Sequence, residues 1–109
     1  MINQSTIDRE RIALVVTIRM ARAAMGIGQV ELAEMLGISK ITLARVETLE
    51  SPLKADVYMR AIRVFKEHGV DVDMISANLV TVNIKQQCLD EALERLNDTS
   101  RRRSDKKVK

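Results

Sequence analysis

The stretch from residue 28 to 47, GQVELAEMLGISKITLARVE, places the strongest constraint on how this chain folds. In its first half Leu32 and Leu36 lie one helical turn apart, and in its second half Leu43 and Val46 do the same. Because residues three or four apart share a helix face, each half has one apolar face and one polar face. The stretch therefore predicts two short amphipathic helices.

The residues between the two predicted helices end one and begin the next. Gly37 suits the left-handed conformation that commonly follows a helix. The apolar side chain of Ile38 can then pack back against the last turn of the first helix. Ser39 is a good N-cap for the second helix. Ala33 is small enough for the two helices to cross closely. The spacing is that of a DNA-binding helix-turn-helix.

Because these features occur together at this spacing, the chain resembles the Cro/CI-type, or XRE, helix-turn-helix regulators of phages, plasmids and other mobile elements. The resemblance covers roughly residues 16–69 and implies a mainly α, lambda-repressor-like domain of four to five helices. Gly28 departs from the family, which usually has Ser, Thr or Asn there as a cap. The residues that carry the resemblance are Gln29, Leu32, Ala33, Gly37, Ile38, Ser39, Leu43, Val46 and Glu47.

The resemblance places the DNA-reading residues on the outward face of the second helix. Lys40 and Arg45 can donate hydrogen bonds to guanine, and Ile41 can contact a thymine methyl group, so these three are the predicted base-reading residues. Ser39 has the alternative role of a helix cap alone. Secondary or phosphate contacts are expected from Gln29, Ser39 and Thr42.

Two further roles follow from the family pattern. Arg22 and Glu47 are expected to form an ion pair that ties the first helix to the end of the recognition helix, the alternative being two solvated charges. Glu34 stands where some activating relatives present acidic residues to RNA polymerase, which makes it a candidate activation surface.

The segments on either side of the motif also show helical spacing. A long first helix is expected from a cap at Ser5 or Thr6 to about Met25. After a loop that contains the only proline, another helix is expected over residues 54–68, with Arg60 and its cationic neighbours pointing outward into solvent.

The apolar period changes from helical to alternating after residue 69. Residues 70–74 and 80–84 alternate apolar with polar side chains around the turn-like residues 76–78, which predicts a short β-hairpin. A two-stranded hairpin is marginal alone, so its apolar face should rest on helices or on another chain.

A last helix is expected from about residue 84 to 96, with Asn83 and Gln86 at capping-box spacing. Its narrow apolar stripe suits pairing with a second copy of the chain, the alternative being packing onto its own domain. The residues of that predicted dimerisation stripe are Leu89, Ala92, Leu93 and Leu96.

Length and charge together suggest three regions. They are a helix-turn-helix domain over 1–69, a dimerisation region over 70–97, and a disordered basic tail over 98–109. The tail has six Lys or Arg against two Asp, a net of +4 in a chain whose net charge is +3, so the remainder is at −1. A nonspecific nucleoid protein, which needs a broadly basic body, is therefore disfavoured.

The composition argues against several other classes. A single cysteine, Cys88, suits a reducing cytoplasm, and a single histidine, His68, provides no zinc-ligand cluster. No apolar run approaches the roughly 20 residues that span a bilayer, and charges interrupt any N-terminal signal sequence. No paired nucleophile and base or phosphate-binding loop is visible, so neither enzyme activity nor a cofactor, metal or small-molecule site is expected.

The sequence therefore predicts a cytoplasmic, sequence-specific regulator, a repressor or also an activator, that binds an inverted-repeat operator as a homodimer. The alternative is a protein-interaction module, such as an antitoxin or antiactivator, that keeps the same fold. The outward Lys40, Thr42 and Arg45 favour DNA, since an apolar or acidic face would have favoured protein.

Overall fold

The computed structural model describes residues 4–76 and 79–98 and contains five helices and one hairpin. The mainly α fold and the predicted order of elements are confirmed. In chain order the elements are α1 (Gln4–Met25), α2 (Gln29–Leu36), α3 (Lys40–Glu47), α4 (Ala55–Glu67), β1 (Val70–Ser76), β2 (Leu79–Ile84) and α5 (Gln86–Asn97).

The turn between α2 and α3 follows the predicted chemistry. Gly37 has a φ of 70°, and the backbone amide of Ile38 donates to the carbonyl of Ala33 over 3.0 Å, which closes the end of α2. Ser39 caps α3, since its hydroxyl oxygen accepts from the backbone amide of Thr42 over 3.0 Å. Three residues thus end one helix and begin the next.

An aliphatic core with Phe65 as its one aromatic residue holds the elements together. Val70 of β1 and Cys88 of α5 lie in the same buried cluster as the residues of α1–α4, so the hairpin and the last helix complete the helical core. The largest completely buried side chains are those of Ile18, Leu32, Leu36, Leu43, Phe65 and Val70.

The predicted hairpin is confirmed as an antiparallel pair of strands. Val70 lies opposite Ile84, and Val72 opposite Val82. Val70, Val72 and Val82 pack against the helical core, whereas Ile84 at the end of β2 is 43% exposed. Ala77 and Asn78, in the predicted turn, lie outside the described residues, as do residues 99–109 of the predicted tail.

Two predicted helix caps are wrong. Asn83 lies within β2 opposite Asp71, because the ladder continues to Ile84. The N-cap of α5 is Lys85, whose side chain makes no capping hydrogen bond. At the other end of the chain, α1 begins at Gln4. Ser5 and Thr6 therefore lie within its first turn.

The expectation that Arg60 is merely solvated is also wrong. Its Nη1 donates a hydrogen bond to the carbonyl oxygen of Leu36, the last residue of α2. Carbonyls in the last turn of a helix have no partner within that helix, so a donor from a neighbouring helix satisfies one of them. Arg60 thus joins α4 to the end of α2.

The start of α5 approaches the end of α4 closely. The backbone amide of Lys85 donates to the carbonyl of Gly69 over 2.8 Å. Gly69 has a φ of +83°, and a Cβ built there would lie 2.8 Å from the backbone nitrogen of Cys88. Only glycine combines this conformation with such an approach.

The side chains of α5 complete its attachment to the helical core. The Cys88 thiol is buried 3.4 Å from the carbonyl oxygen of Ala24, and burial, with the nearby Glu91 carboxylate, raises its pKa. Glu91 accepts from His68 Nδ1 and from Gln87 Nε2, each over 3.1 Å. These two hydrogen bonds, that of His68 first, lower the pKa of Glu91.

Candidate nucleic-acid interface

Helix α3 divides into a buried face and an exposed one. Leu43 and Val46 are buried in the core, whereas Lys40, Ile41 and Arg45 are exposed. The exposed fraction of Ile41 is 63%, which is high for an aliphatic side chain beside two cations. The structure therefore brings the three predicted base-reading residues together on one accessible surface.

Ser39 and Thr42 form a local hydrogen-bonded pair at the start of this surface. Besides capping the helix, the Ser39 hydroxyl donates to Thr42 Oγ1 over 2.8 Å. Thr42 is exposed and keeps its own hydroxyl proton available for another acceptor. Ser39 therefore has a structural role, and Thr42 is the one better placed to donate outward.

The end of α3 is held by a bidentate ion pair. Arg22 of α1 donates from Nη2 to Glu47 Oε1 over 2.8 Å and from Nε to Glu47 Oε2 over 3.1 Å. Glu47 is only 4% exposed, so its carboxylate depends on these donors. The pair is thus an internal brace between α1 and α3.

Gln29 completes this brace. Its side-chain Nε2 donates to Glu47 Oε1 over 3.0 Å, which links the first residue of α2 to the last residue of α3. The side-chain nitrogen that was a candidate for a phosphate contact thus has an internal partner. The N-cap of α2, Gly28, makes no side-chain cap hydrogen bond, so it leaves the backbone amides of the first turn without that acceptor.

A second arginine of α1 supports the segment that follows α3, and the sequence reasoning missed it. Arg11 Nη2 donates to the carbonyl of Leu49 over 2.9 Å, and Leu49 adopts a positive φ of 66°. Arg11 and Arg22 are separated by 11 residues, about three helical turns, so they project from the same side of α1. That spacing is the signal by which Arg11 could have been found.

A family model described as "Helix-turn-helix" matches residues 18–71, from the second half of α1 to the start of β1. This segment belongs to the Cro/CI-type helix-turn-helix family. The domain makes the protein a DNA-binding regulator, with α2 and α3 as its helix-turn-helix and α3 as its recognition helix by position. Comparisons with curated proteins and with solved structures give no significant match.

The other predicted site residues lie outside the recognition helix. Glu34 is exposed on α2 of the helix-turn-helix. On α5, Leu89, Leu93 and Leu96 are all more than half exposed, whereas Ala92 is partly buried. Helix α5 packs on the domain through Cys88, and this leaves its leucines uncovered.

Among the described residues, no single helix is both long and apolar enough to cross a bilayer. The segments Asp8–Met25 and Gln29–Leu36 meet the length and hydropathy criteria only when combined, and the chain bends by 108° between them. That bend is the entry into the helix-turn-helix.

Proposed function

We propose that the protein is a sequence-specific transcriptional repressor that binds an inverted-repeat operator as a homodimer. The single observation that carries this proposal is the exposed surface of α3, where Ile41 lies between Lys40 and Arg45. A repressor of this kind acts by occupying the DNA that RNA polymerase would otherwise use.

The chemistry of this surface matches the major groove. Neither Lys40 nor Arg45 has an ion-pair partner within the described residues, so both cations are available to a ligand. A guanine presents two acceptors to an arginine or lysine, and a thymine presents a methyl group to an apolar side chain. Lys40, Ile41 and Arg45 would therefore read bases directly.

The brace beneath the surface supports this function. Glu47 receives hydrogen bonds from Arg22 on α1 and Gln29 on α2, so the end of α3 is fixed against two helices before DNA arrives. A site that is organised in advance pays less conformational entropy on binding. The first turn of α2 and Thr42 would add phosphate contacts beside the base readers.

The homodimer is supported by the uncovered side of α5. Leu89, Leu93 and Leu96 expose more than half of their surface on a helix whose opposite side packs on the core. A second copy would cover them and would place two recognition helices on half-sites about 34 Å apart, one turn of B-DNA. Two linked contacts raise the low affinity of a single module.

Activation of transcription is a second candidate role, favoured by the exposure of Glu34 on α2. Its test is a Glu34→Lys variant beside Glu67→Lys, an equal change of charge at an exposed residue of α4. If Glu34 contacts RNA polymerase, only Glu34→Lys lowers transcription from an activated promoter while DNA binding persists. Unchanged output from Glu34→Lys removes this role.

The proposed function is tested by selecting binding sites from random DNA with the purified full-length protein. The expected result is an enriched inverted repeat whose half-site centres lie about one helical turn apart. Failure to enrich any sequence would contradict the proposal and would favour the protein-interaction module instead.

A further inference from the structure

We infer that the outer side of α1 is a contact surface for a second copy of this chain, an inference that rests on the proposed homodimer. The surface, here called the α1 ridge, consists of Ile12, Val16 and Met20. Their exposed fractions are 47%, 46% and 48%, which leaves three large apolar side chains half open to solvent in one row.

The α1 ridge is continuous with the contact between α1 and α5. Residues four apart form a row along a helix, and the row that contains the ridge continues from Met20 to Ala24. The buried Cys88 thiol of α5 lies on the carbonyl of Ala24. The Ala24 end of the row thus lies against α5, the helix that carries the exposed leucines. The rest of the row, from Met20 back to Ile12, is exposed.

The area of α5 alone is too small for a stable dimer. A helix of 12 residues is about 18 Å long and 10–12 Å wide, so one side of α5 presents roughly 200 Å². A standard interface buries about 800 Å² on each partner. The ridge spans residues 12–20 of α1, about 14 Å of helix, and adds roughly a further 150 Å². Including the ridge raises the surface from roughly 200 to roughly 350 Å² on each partner, which is closer to the size of a weak interface.

The charges beside the ridge favour an antiparallel pair of α1 helices. When two copies cross antiparallel at Val16, Ile12 faces the partner subunit's Met20. In the same pairing Arg9 faces the partner's Ala23 and Arg19 faces the partner's Ala13, both small residues. In a parallel pair each of these arginines would face its own copy, which is repulsive. The ridge is therefore self-complementary about a two-fold axis.

The recognition helix does not compete for this surface. Arg11 and Arg22, which hold the α3 end, project from the side of α1 roughly opposite Val16, since successive residues rotate by about 100°. A partner on the ridge thus leaves α3 accessible.

The experiment measures the dimer dissociation constant of the full-length protein by sedimentation equilibrium. Met20→Glu is compared with Met59→Glu, which makes the same change at a 70% exposed methionine of α4. Val16→Glu and Leu93→Glu are measured alongside, and far-ultraviolet circular dichroism verifies that each variant keeps its helices.

Because the two-fold axis places each carboxylate in the interface twice, Met20→Glu and Val16→Glu should raise the dissociation constant at least about tenfold. Met59→Glu should leave it unchanged.

The outcomes separate this inference from the proposed homodimer. If Leu93→Glu dissociates the dimer while both α1 variants leave it intact, the ridge is not an interface and the proposed function stands. If the wild-type protein is monomeric both free and on its DNA, the homodimer and the ridge fail together. If Met59→Glu raises the dissociation constant as much as Met20→Glu does, the inference about the ridge is also wrong, because the loss of dimer would not depend on where the carboxylate is placed.

Discussion

Arg22 and Glu47 form a bidentate ion pair in which one guanidinium contacts both oxygens of a carboxylate that is nearly inaccessible to solvent. The two residues are 25 positions apart and belong to α1 and α3. The orientation of the recognition helix therefore depends on a helix that offers no base-reading residue of its own.

Removing one partner of this pair should cost much stability. In Arg22→Ala the buried Glu47 carboxylate loses two charged donors, so we expect the free energy of unfolding to fall by about 3–5 kcal/mol. Denaturant unfolding of the purified variant measures this change. The matched control is Arg11→Ala, which removes an exposed hydrogen bond to Leu49 and should cost about 1 kcal/mol.

A double replacement distinguishes an unpaired charge from lost packing. The variant with Arg22→Met and Glu47→Leu leaves no buried charge, so it should be more stable than Arg22→Ala. If Arg22→Ala and Arg11→Ala lower the free energy of unfolding equally, the Arg22–Glu47 pair stabilises the fold no more than an exposed hydrogen bond does.

Among the glycines, Gly69 is predicted to be the one whose replacement lowers the stability of the fold most. Gly69→Ala combines a positive φ with a Cβ that meets the backbone of Cys88, so we expect a loss of about 2–5 kcal/mol in the free energy of unfolding. Gly28→Ser is the control, because a Cβ at Gly28 has nothing within 4 Å and the hydroxyl can cap α2. If the two variants unfold alike, the close approach of α5 to Gly69 is not a constraint.

The contact between His68 and Glu91 predicts a dependence on pH. Hydrogen bonds hold the pKa of Glu91 below its ordinary value of 4.5, so this group stabilises the folded state fully above about pH 4.5. The contribution is lost as the pH falls through the lower pKa of the folded protein. In His68→Ala an NMR titration should find the Glu91 pKa moved upward, because the principal hydrogen bond is gone. An unchanged Glu91 pKa in that variant would contradict the assigned cause.

The sequence predicted the helix-turn-helix well because its signals are local. Gly37 and Ser39 act on backbone groups within three residues of themselves, so spacing alone indicates their roles. The alternation of apolar residues in 70–84 likewise predicted both strands, since a strand has a period of two.

The errors concern contacts between elements that are distant in the chain. The bond from Arg60 to Leu36 spans 24 residues and the bond from Arg11 to Leu49 spans 38, so in each case the acceptor lies far from the arginine in the chain. The predicted cap at Asn83 failed because pairing with Asp71 extended β2 beyond it. Helix α5 has one small apolar residue, Cys88, outside its leucine stripe, so its sequence did not indicate which side would pack.

The central claim is that the exposed surface of α3 reads bases, and Arg45 is its most direct test. Random-DNA selection should be run in parallel with the wild-type protein, Arg45→Ala and Arg63→Ala, which removes an equal charge from an exposed position of α4. The account predicts that Arg45→Ala loses its preference at one position of each half-site, equivalent to about 1–3 kcal/mol, while Arg63→Ala keeps the wild-type motif. An Arg45→Ala motif identical to that of the wild type at every position would contradict it.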